Sequence, residues 1–508
     1  MNLRQAGHFD FLFRLLSTQA NWQRKVFPKE QSMKFKSISL GLLLVGLLAC
    51  GLWQASRTAN SKTVSAAVQN PHKPYQGFPD FGHMISADDF QTMKAQYAKT
   101  GQYMPGPFRL AQDFSKTKPT AVPDFFKIDF KDGNKWLDYI NAARAYCFEG
   151  NIFGGSVEAD FIPQKNTKRH WTHLPWMHWG DQGSEGFHGL IKEAPISPQQ
   201  LTAAQTDQYQ VYAVAFYNDS AGYTLSRMWK NPNDPDPTVT DRRYGKDNGF
   251  PVGTVIFKLL YTDAPSDQVD YLQNPVQWTA YITPTWTETV QRVVTKVNLI
   301  QMDMMIRDDR AISTGGWVFL TFCYNGALKN ANPWANLVPV GMMWGNDPKY
   351  TKNIIAAYPP TRTMINPDIK ESRINPSSDL PPQHLGWGGR LDGPVDLNTS
   401  ACMSCHSTAG FPQTASLVPP DFFLPQPPTG TPEWQRYFRN IECATPFDPN
   451  MMSCDFSLMV SISLGNFAEF ETGKFGGFFD EEFGAPAKRP NRAGVSPREP
   501  APKPPRPQ

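Results

Sequence analysis

Residues 402–406 read Cys-Met-Ser-Cys-His, the pattern in this chain with the most specific chemistry. Two thiols separated by two residues fit on one helical turn, where both can reach the vinyl groups of a single haem. The next residue then turns its imidazole toward the iron from below. Cys-x-x-Cys-His is the attachment signature of c-type haem. It occurs once, which predicts one covalent haem c. Two other chemistries use paired cysteines. A zinc site needs two further soft ligands, but Cys443 and Cys454 are separated by ten residues rather than two. A thioredoxin-like redox pair needs a buried strand just before the first cysteine, and residues 393–400, Gly-Pro-Val-Asp-Leu-Asn-Thr-Ser, read as polar loop.

The motif resembles that of c-type cytochromes, over roughly residues 381–484. By that resemblance Cys402 and Cys405 hold the haem through thioethers, and His406 is the proximal axial ligand. Together with Trp176-Met-His-Trp-Gly180 and Gly386-Trp-Gly-Gly-Arg390, it makes most of the chain similar to bacterial exported single-haem c-type cytochrome family proteins of unassigned function. The resemblance implies no substrate. In small c-type cytochromes the distal methionine follows the motif, close to the last helix. Met452, after Asp448-Pro-Asn450, is the residue this implies. Met451 and Met459 are alternatives, with Met342 and Met343 as rivals from an earlier segment. All of them also suit gap-filling in a core. Sulfur at the sixth position raises the iron potential, imidazole lowers it, and an open site admits ligand chemistry.

Around the motif, Cys443 and Cys454 could form a disulfide that closes the distal loop, or remain two buried thiols. Cys147 and Cys323 carry no pairing signal. Arg390 follows two glycines that permit close backbone approach, so it could pair with a haem propionate or sit in solvent as a loop arginine.

A second constellation spans residues 170–188. His170, His173, His178 and His188 are four of the nine histidines, and they lie among Trp171, Trp176, Trp179, Asp181 and Glu185. Histidines with carboxylates suit a metal, but Pro175 prevents His173 and His178 from sharing a regular helix face. Packing of loop histidines against tryptophans, or an aromatic loop over the haem edge offering a distal histidine, are the alternatives. The tryptophans could line a pocket or a docking surface.

Ahead of these elements is an export signal. Met33, Lys34 and Lys36 precede an uncharged run from Ile38 to Ala49, a basic region followed by an apolar stretch too short for a comfortable membrane span. The sequence Leu47-Leu-Ala-Cys50-Gly51 resembles a bacterial lipobox, with Cys50 as the acylated residue; an uncleaved anchor reaching Trp53 is the alternative. The body is therefore expected outside the cytoplasm, periplasmic or on the outer face and tethered to a membrane, where covalent haem is allowed. Residues 1–32 read as a leader or mis-called start.

Net charge is concentrated at the ends. The chain of 508 residues carries +3, but residues 1–50 and 485–508 each carry +5, leaving 36 basic and 43 acidic residues and a net of −7 in 51–484. An acidic body disfavours nucleic acid and favours a basic redox partner that docks weakly and salt-sensitively. No phosphate-binding glycine loop, G-x-S-x-G or H-E-x-x-H occurs.

These residues are positioned by a chain predicted to be mainly β. Residues 51–75 read as a tether, and helices are expected near 86–101 and over 134–149. From about 205 the period becomes two, with strands over 210–217, 254–261, 297–307, 317–324 and 337–344, each bounded by turn formers. Five strands without alternating helices predict an antiparallel sandwich or barrel-like domain over 76–380, with helices at its N-terminal end. A small helical haem segment, 381–484, should follow, with helices at 430–440 and 454–470. Residues 485–508, with eight prolines, read as disordered tail. The expected function is one-electron transfer. A haem-linked oxidoreductase whose β domain binds a substrate or metal, and a haem-based sensor of small ligands, are the alternatives.

Overall fold

Strand formers dominate the middle of the chain, and there the backbone forms one antiparallel sheet. The computed structural model describes residues 95, 98, 99 and 112–472, except 153–160, 178–187, 233, 283–292, 351–364, 384, 414–426 and 429. These belong to the unit His72–Gln508. Cys50, the export signal, the tether and the proline-rich tail lie outside the described residues, as does the helix near 86–101 except at 95, 98 and 99, which are helical.

The first helix, α1 (Trp136–Phe148), buries Trp136, Tyr139, Ile140, Ala143 and Cys147, the apolar stripe its sequence presents. The strands are β1 (Trp171–Thr172), β2 (Ile191–Ile196), β3 (Tyr209–Asn218), β4 (Val255–Thr262), β5 (Gln277–Ile282), β6 (Val293–Arg307), β7 (Trp317–Tyr324), β8 (Leu337–Met343) and β9 (Ser372–Ile374). They form a nine-stranded sheet in the order β1-β3-β4-β6-β7-β8-β9, with β2 also on β3 and β5 also on β6. Every pair is antiparallel. The sheet does not close into a barrel, and a second large sheet is absent among the described residues.

The expected sandwich is therefore replaced by a single sheet covered on both faces. The reason is visible on β7, where every residue is buried. Phe319 and Thr321 point to one face, toward His406 and Cys402. Phe322 points to the other, beneath the Arg144 guanidinium of α1 at 5.7 Å. A strand buried on both sides reads as an unbroken apolar run whether its cover is a second sheet or helices and loops. Here helices and loops supply it.

Asn218-Asp219, a turn signal in the sequence, instead caps the helix α2 (Asp219–Met228): the Asn218 amide oxygen accepts from Ala221 N–H at 3.2 Å. The same asparagine chemistry serves turns and helix starts. Strand β2 carries Pro195, and its register on β3 shifts between Lys192 and Pro195, as proline at a sheet edge permits. After the sheet come α3 (Cys402–His406), the short ribbon strand β10 (Gly410–Phe411), α4 (Pro432–Gln435), the second ribbon strand β11 (Met452–Ser453) and α5 (Leu458–Thr472). One continuous apolar cluster runs from Phe114 through the sheet to Phe467.

Candidate haem-binding site

The Cys-x-x-Cys-His residues form the single helical turn α3. Its start is fixed by Ser404, whose hydroxyl oxygen accepts from the Ala401 N–H at 2.8 Å and satisfies a donor the helix cannot. The segment before it is tied to the same turn: Trp387 N–H donates to the Ser400 carbonyl at 2.7 Å, and Cys402 N–H to the Leu391 carbonyl at 3.1 Å. Gly386 is needed there, because a Cβ would lie 2.2 Å from the Ser400 carbonyl oxygen. Both motif thiols are partly exposed and free of disulfides.

His406 is held from behind. Its Nδ1 lies 2.8 Å from the Phe456 carbonyl oxygen, so Nδ1 carries the hydrogen and donates. That fixes the tautomer and leaves the Nε2 lone pair for a metal. Burial lowers the imidazole pKa to about 4, against the raising effect of the Phe456 bond, so the ring is neutral at physiological pH. The Phe319 ring packs against it at 4.9 Å between centroids. Two thiols on one turn and a neutral imidazole with a bonded Nδ1 fit the donor set a c-type haem requires on its proximal side. Burial, then Asp392, push the Cys402 thiol well above its ordinary pKa. Among the described residues no group of three His, Cys, Asp or Glu side chains is arranged to hold a metal ion, which also removes the zinc alternative there.

Beneath Cys402 lies a polar stripe of the sheet. The Thr321 hydroxyl is 3.7 Å from Cys402 Sγ and donates to Asp303 Oδ1 at 2.9 Å. Gln301 Nε2 donates to both Asp303 Oδ2 and Asp396 Oδ2 at 2.8 Å. Lys258, paired in register with Asp303 on β4, reaches Glu193 at 2.6 Å. Burial, reinforced by Asp396, pushes the Asp303 carboxyl up to about 8. Asp392 is also raised well above the carboxylate range, by burial and then Asp396. Burial alone would lower the Lys258 ammonium pKa, but Glu193 and the aspartates raise it. Sequence reasoning missed this stripe, although Gln301 and Asp303, two residues apart in the apolar run of β6, are a signal for polar groups on one face. The Phe456 carbonyl carries no side-chain signature and could not have been found.

The other sequence candidates are placed as follows. Arg390 is wholly buried, not a solvent loop residue. It donates to the carbonyls of Asn346 (2.8 Å), Trp387 (2.8 Å), Asp347 (3.1 Å) and Tyr350 (3.3 Å), and its guanidinium lies 4.8 Å from the ring centroids of Trp387 and Phe438. Four of its five N–H groups are thus committed to backbone, a clamp on the loop that carries the motif. Cys443 and Cys454 are separate buried free thiols rather than a disulfide. Their loop is closed by Asp455, whose Oδ1 accepts from Ala444 N–H at 2.8 Å. Met452 lies on β11, opposite Phe411 of β10. Met451, Met342 and Met343 are buried in the core.

The histidine constellation separates. His170 bridges Asp219 (2.9 Å) and Asp113 (3.0 Å), and Asp219 first among its neighbours raises its pKa to about 9. His173 Nδ1 bonds the Ala215 carbonyl of β3 at 2.7 Å. His188 stacks on Trp278 at 4.5 Å. His178 and Glu185 lie outside the described residues. Trp171 and Trp176 are buried, so neither offers a docking surface. A small pocket is lined by His173, Met177, Ala213, Tyr217 and Met459 among others. It opens where the edge of β3 passes from β1 to β2, leaving Val214–Phe216 without a strand partner on that side among the described residues. No helix of the described residues is long and apolar enough to cross a membrane.

No family model, curated protein or solved structure matches this chain. The functional reading rests on the geometry.

Proposed function

We propose that this chain is an exported single-haem c-type cytochrome, lipid-anchored through Cys50, that passes one electron at a time to a partner protein. The observation that carries the reading is the bond from His406 Nδ1 to the Phe456 carbonyl, on the same helical turn as the two thiols of Cys402 and Cys405. A bound haem c would supply the Fe(III)/Fe(II) couple. Cys402 and Cys405 would tether it, and His406 Nε2 would bind from below. The Phe456 carbonyl keeps the imidazole oriented and basic. Phe319 packs on the imidazole and the Thr321 hydroxyl lies beside Cys402. The acidic body favours a basic partner.

A second reading is favoured by the pocket beside Met459: a small molecule held there would exchange electrons with the haem, and the protein would be an oxidoreductase. The test of the first reading is covalent haem. Protein produced with an intact haem-attachment apparatus should stain for haem on a denaturing gel. Cys402→Ala or Cys405→Ala should abolish or strongly reduce the stain, and full staining in the double variant would reject the assignment. Carbon monoxide binding to the ferrous wild type would shift weight to the second reading. Cys50→Ala should release the protein from membranes.

A further inference from the structure

The turn that presents the Phe456 carbonyl to His406 is strained, and a carboxylate holds it. Asp455 and Phe456 are consecutive non-glycine residues with φ of 47° and 66°. The left-handed region is unfavourable for a bulky residue such as Phe456 and is tolerated better by an aspartate. Strain of this kind persists only where the surroundings over-determine the backbone. Asp455 supplies that determination. It is fully buried, and its Oδ1 accepts from the Trp317 indole N–H at 3.0 Å and from Ala444 N–H at 2.8 Å. Its Oδ2 accepts from Phe250 N–H at 2.6 Å. Its own N–H donates to Ser453 Oγ at 3.0 Å. Gly249 closes over the same carboxylate, since a Cβ there would lie 2.9 Å from Oδ2. The three donors come from β7, from the loop after Cys443 and from the segment before β4. One carboxylate therefore ties three distant parts of the chain to the turn, and the next carbonyl along bonds His406. Trp317, which holds Asp455, is two residues from Phe319, which packs on the imidazole itself.

We propose that Asp455 is a positioning residue for His406: by locking the Asp455–Phe456 turn it keeps the Phe456 carbonyl on Nδ1 and sets how strongly Nε2 donates to a bound iron. The proposal deepens the haem reading and rests on it for one of its two readouts. A carbonyl on Nδ1–H makes the imidazole a better donor, which favours Fe(III) over Fe(II).

The test is Asp455→Asn in the full chain. The amide replaces one acceptor oxygen with a donor, facing N–H groups that need acceptors. The variant should keep covalent haem, but its one-electron reduction equilibrium should shift at least tenfold toward Fe(II), a rise of ~59 mV in midpoint potential. Trp317→Phe removes one donor only and should shift the potential the same way by less. Nitrogen NMR of the imidazole in protein produced without haem attachment, where Nε2 is not bound to iron, gives a second readout: a single Nδ1–H tautomer in the wild type and a mixture in Asp455→Asn. An unchanged potential and tautomer in folded Asp455→Asn would overturn the proposal, leaving Asp455 a purely structural residue. If that variant does not fold, Trp317→Phe decides by the same two readouts. If the wild type carries no covalent haem, the haem reading fails, and the tautomer alone supports or overturns the positioning role.

Discussion

Replacing Asp303 with asparagine should make the protein increasingly more stable than wild type as the pH rises from about 5 to 8. Asp303 sits on the central strand β6 between Gln301 and Thr321. Burial, and then Asp396, raise its carboxyl from the usual 3.8 to about 8. The sign follows from proton binding. Between roughly pH 4 and pH 8 the folded chain holds a proton that the unfolded chain has released, so stability falls as pH rises through that window. Each unit of pH is worth at most about 1.4 kcal/mol. Asp392 beside it is also raised by burial, so the realised slope is smaller. Asparagine carries no charge at any pH in this range. It can still accept from Thr321, but it loses the bond from Gln301, a loss of about 1 kcal/mol. Asp303→Asn should therefore be near neutral or slightly destabilised at pH 4–5 and more stable than wild type by roughly 2–4 kcal/mol at pH 8. Urea unfolding midpoints of both proteins, measured at one-unit steps from pH 5 to pH 8, give the comparison. A stability difference that is constant across that range, or that shrinks as pH rises, would refute the argument.

Met452→Ala should remove the sulfur-to-iron charge-transfer band of the ferric protein, lower the midpoint potential and admit carbon monoxide to the ferrous form. Retention of the band would pass the role to Met459, which lines the pocket with His173. Arg390→Ala should destabilise by about 3 kcal/mol or more, because four backbone carbonyls lose a charged donor in a buried site; chemical denaturation measures it. Arg390→Lys should not rescue, since an ammonium cannot reproduce the planar fork. Alkylation of denatured protein without reductant should label both Cys443 and Cys454 in full, and protection of the pair would restore the disulfide.

The parts of this fold that were legible in sequence are those fixed by local periodicity. The apolar runs of β3, β4, β6, β7 and β8 and the stripe of α1 each identify an element, because burial of a regular backbone imposes a regular pattern. Strands β1, β2, β5 and β9 are shorter or polar, and β2 contains Pro195, so pairing with a long neighbour rather than propensity makes them strands. In the site, the residues that would bond haem were legible because their spacing is chemical. The partners of His406 and Cys402 were not, because Phe456, Thr321 and Asp303 reach the motif from 50, 81 and 99 or more residues away in the chain. The carbonyl partners of Arg390 were not legible either, because three of the four lie 40 or more residues away.

The proposed electron carrier would need a rigid ligand frame, because reorganisation around an iron slows transfer. The His406 imidazole is contacted on two sides by groups tied to β7. Phe319 and Trp317 belong to one fully buried strand. Phe319 lies on the imidazole, while Trp317 holds Asp455, the residue just before the carbonyl that bonds Nδ1. The middle of α5 extends the same frame: Ser463 donates to the Pro175 carbonyl at 2.6 Å and Asn466 to the Trp176 carbonyl at 2.7 Å, so the helix that begins two residues after Phe456 is anchored to the segment that follows β1. The large sheet therefore has a direct mechanical relation to the motif, whatever else its pocket binds. It converts a five-residue turn, too short to be stable as a helix by itself, into a fixed point of the core.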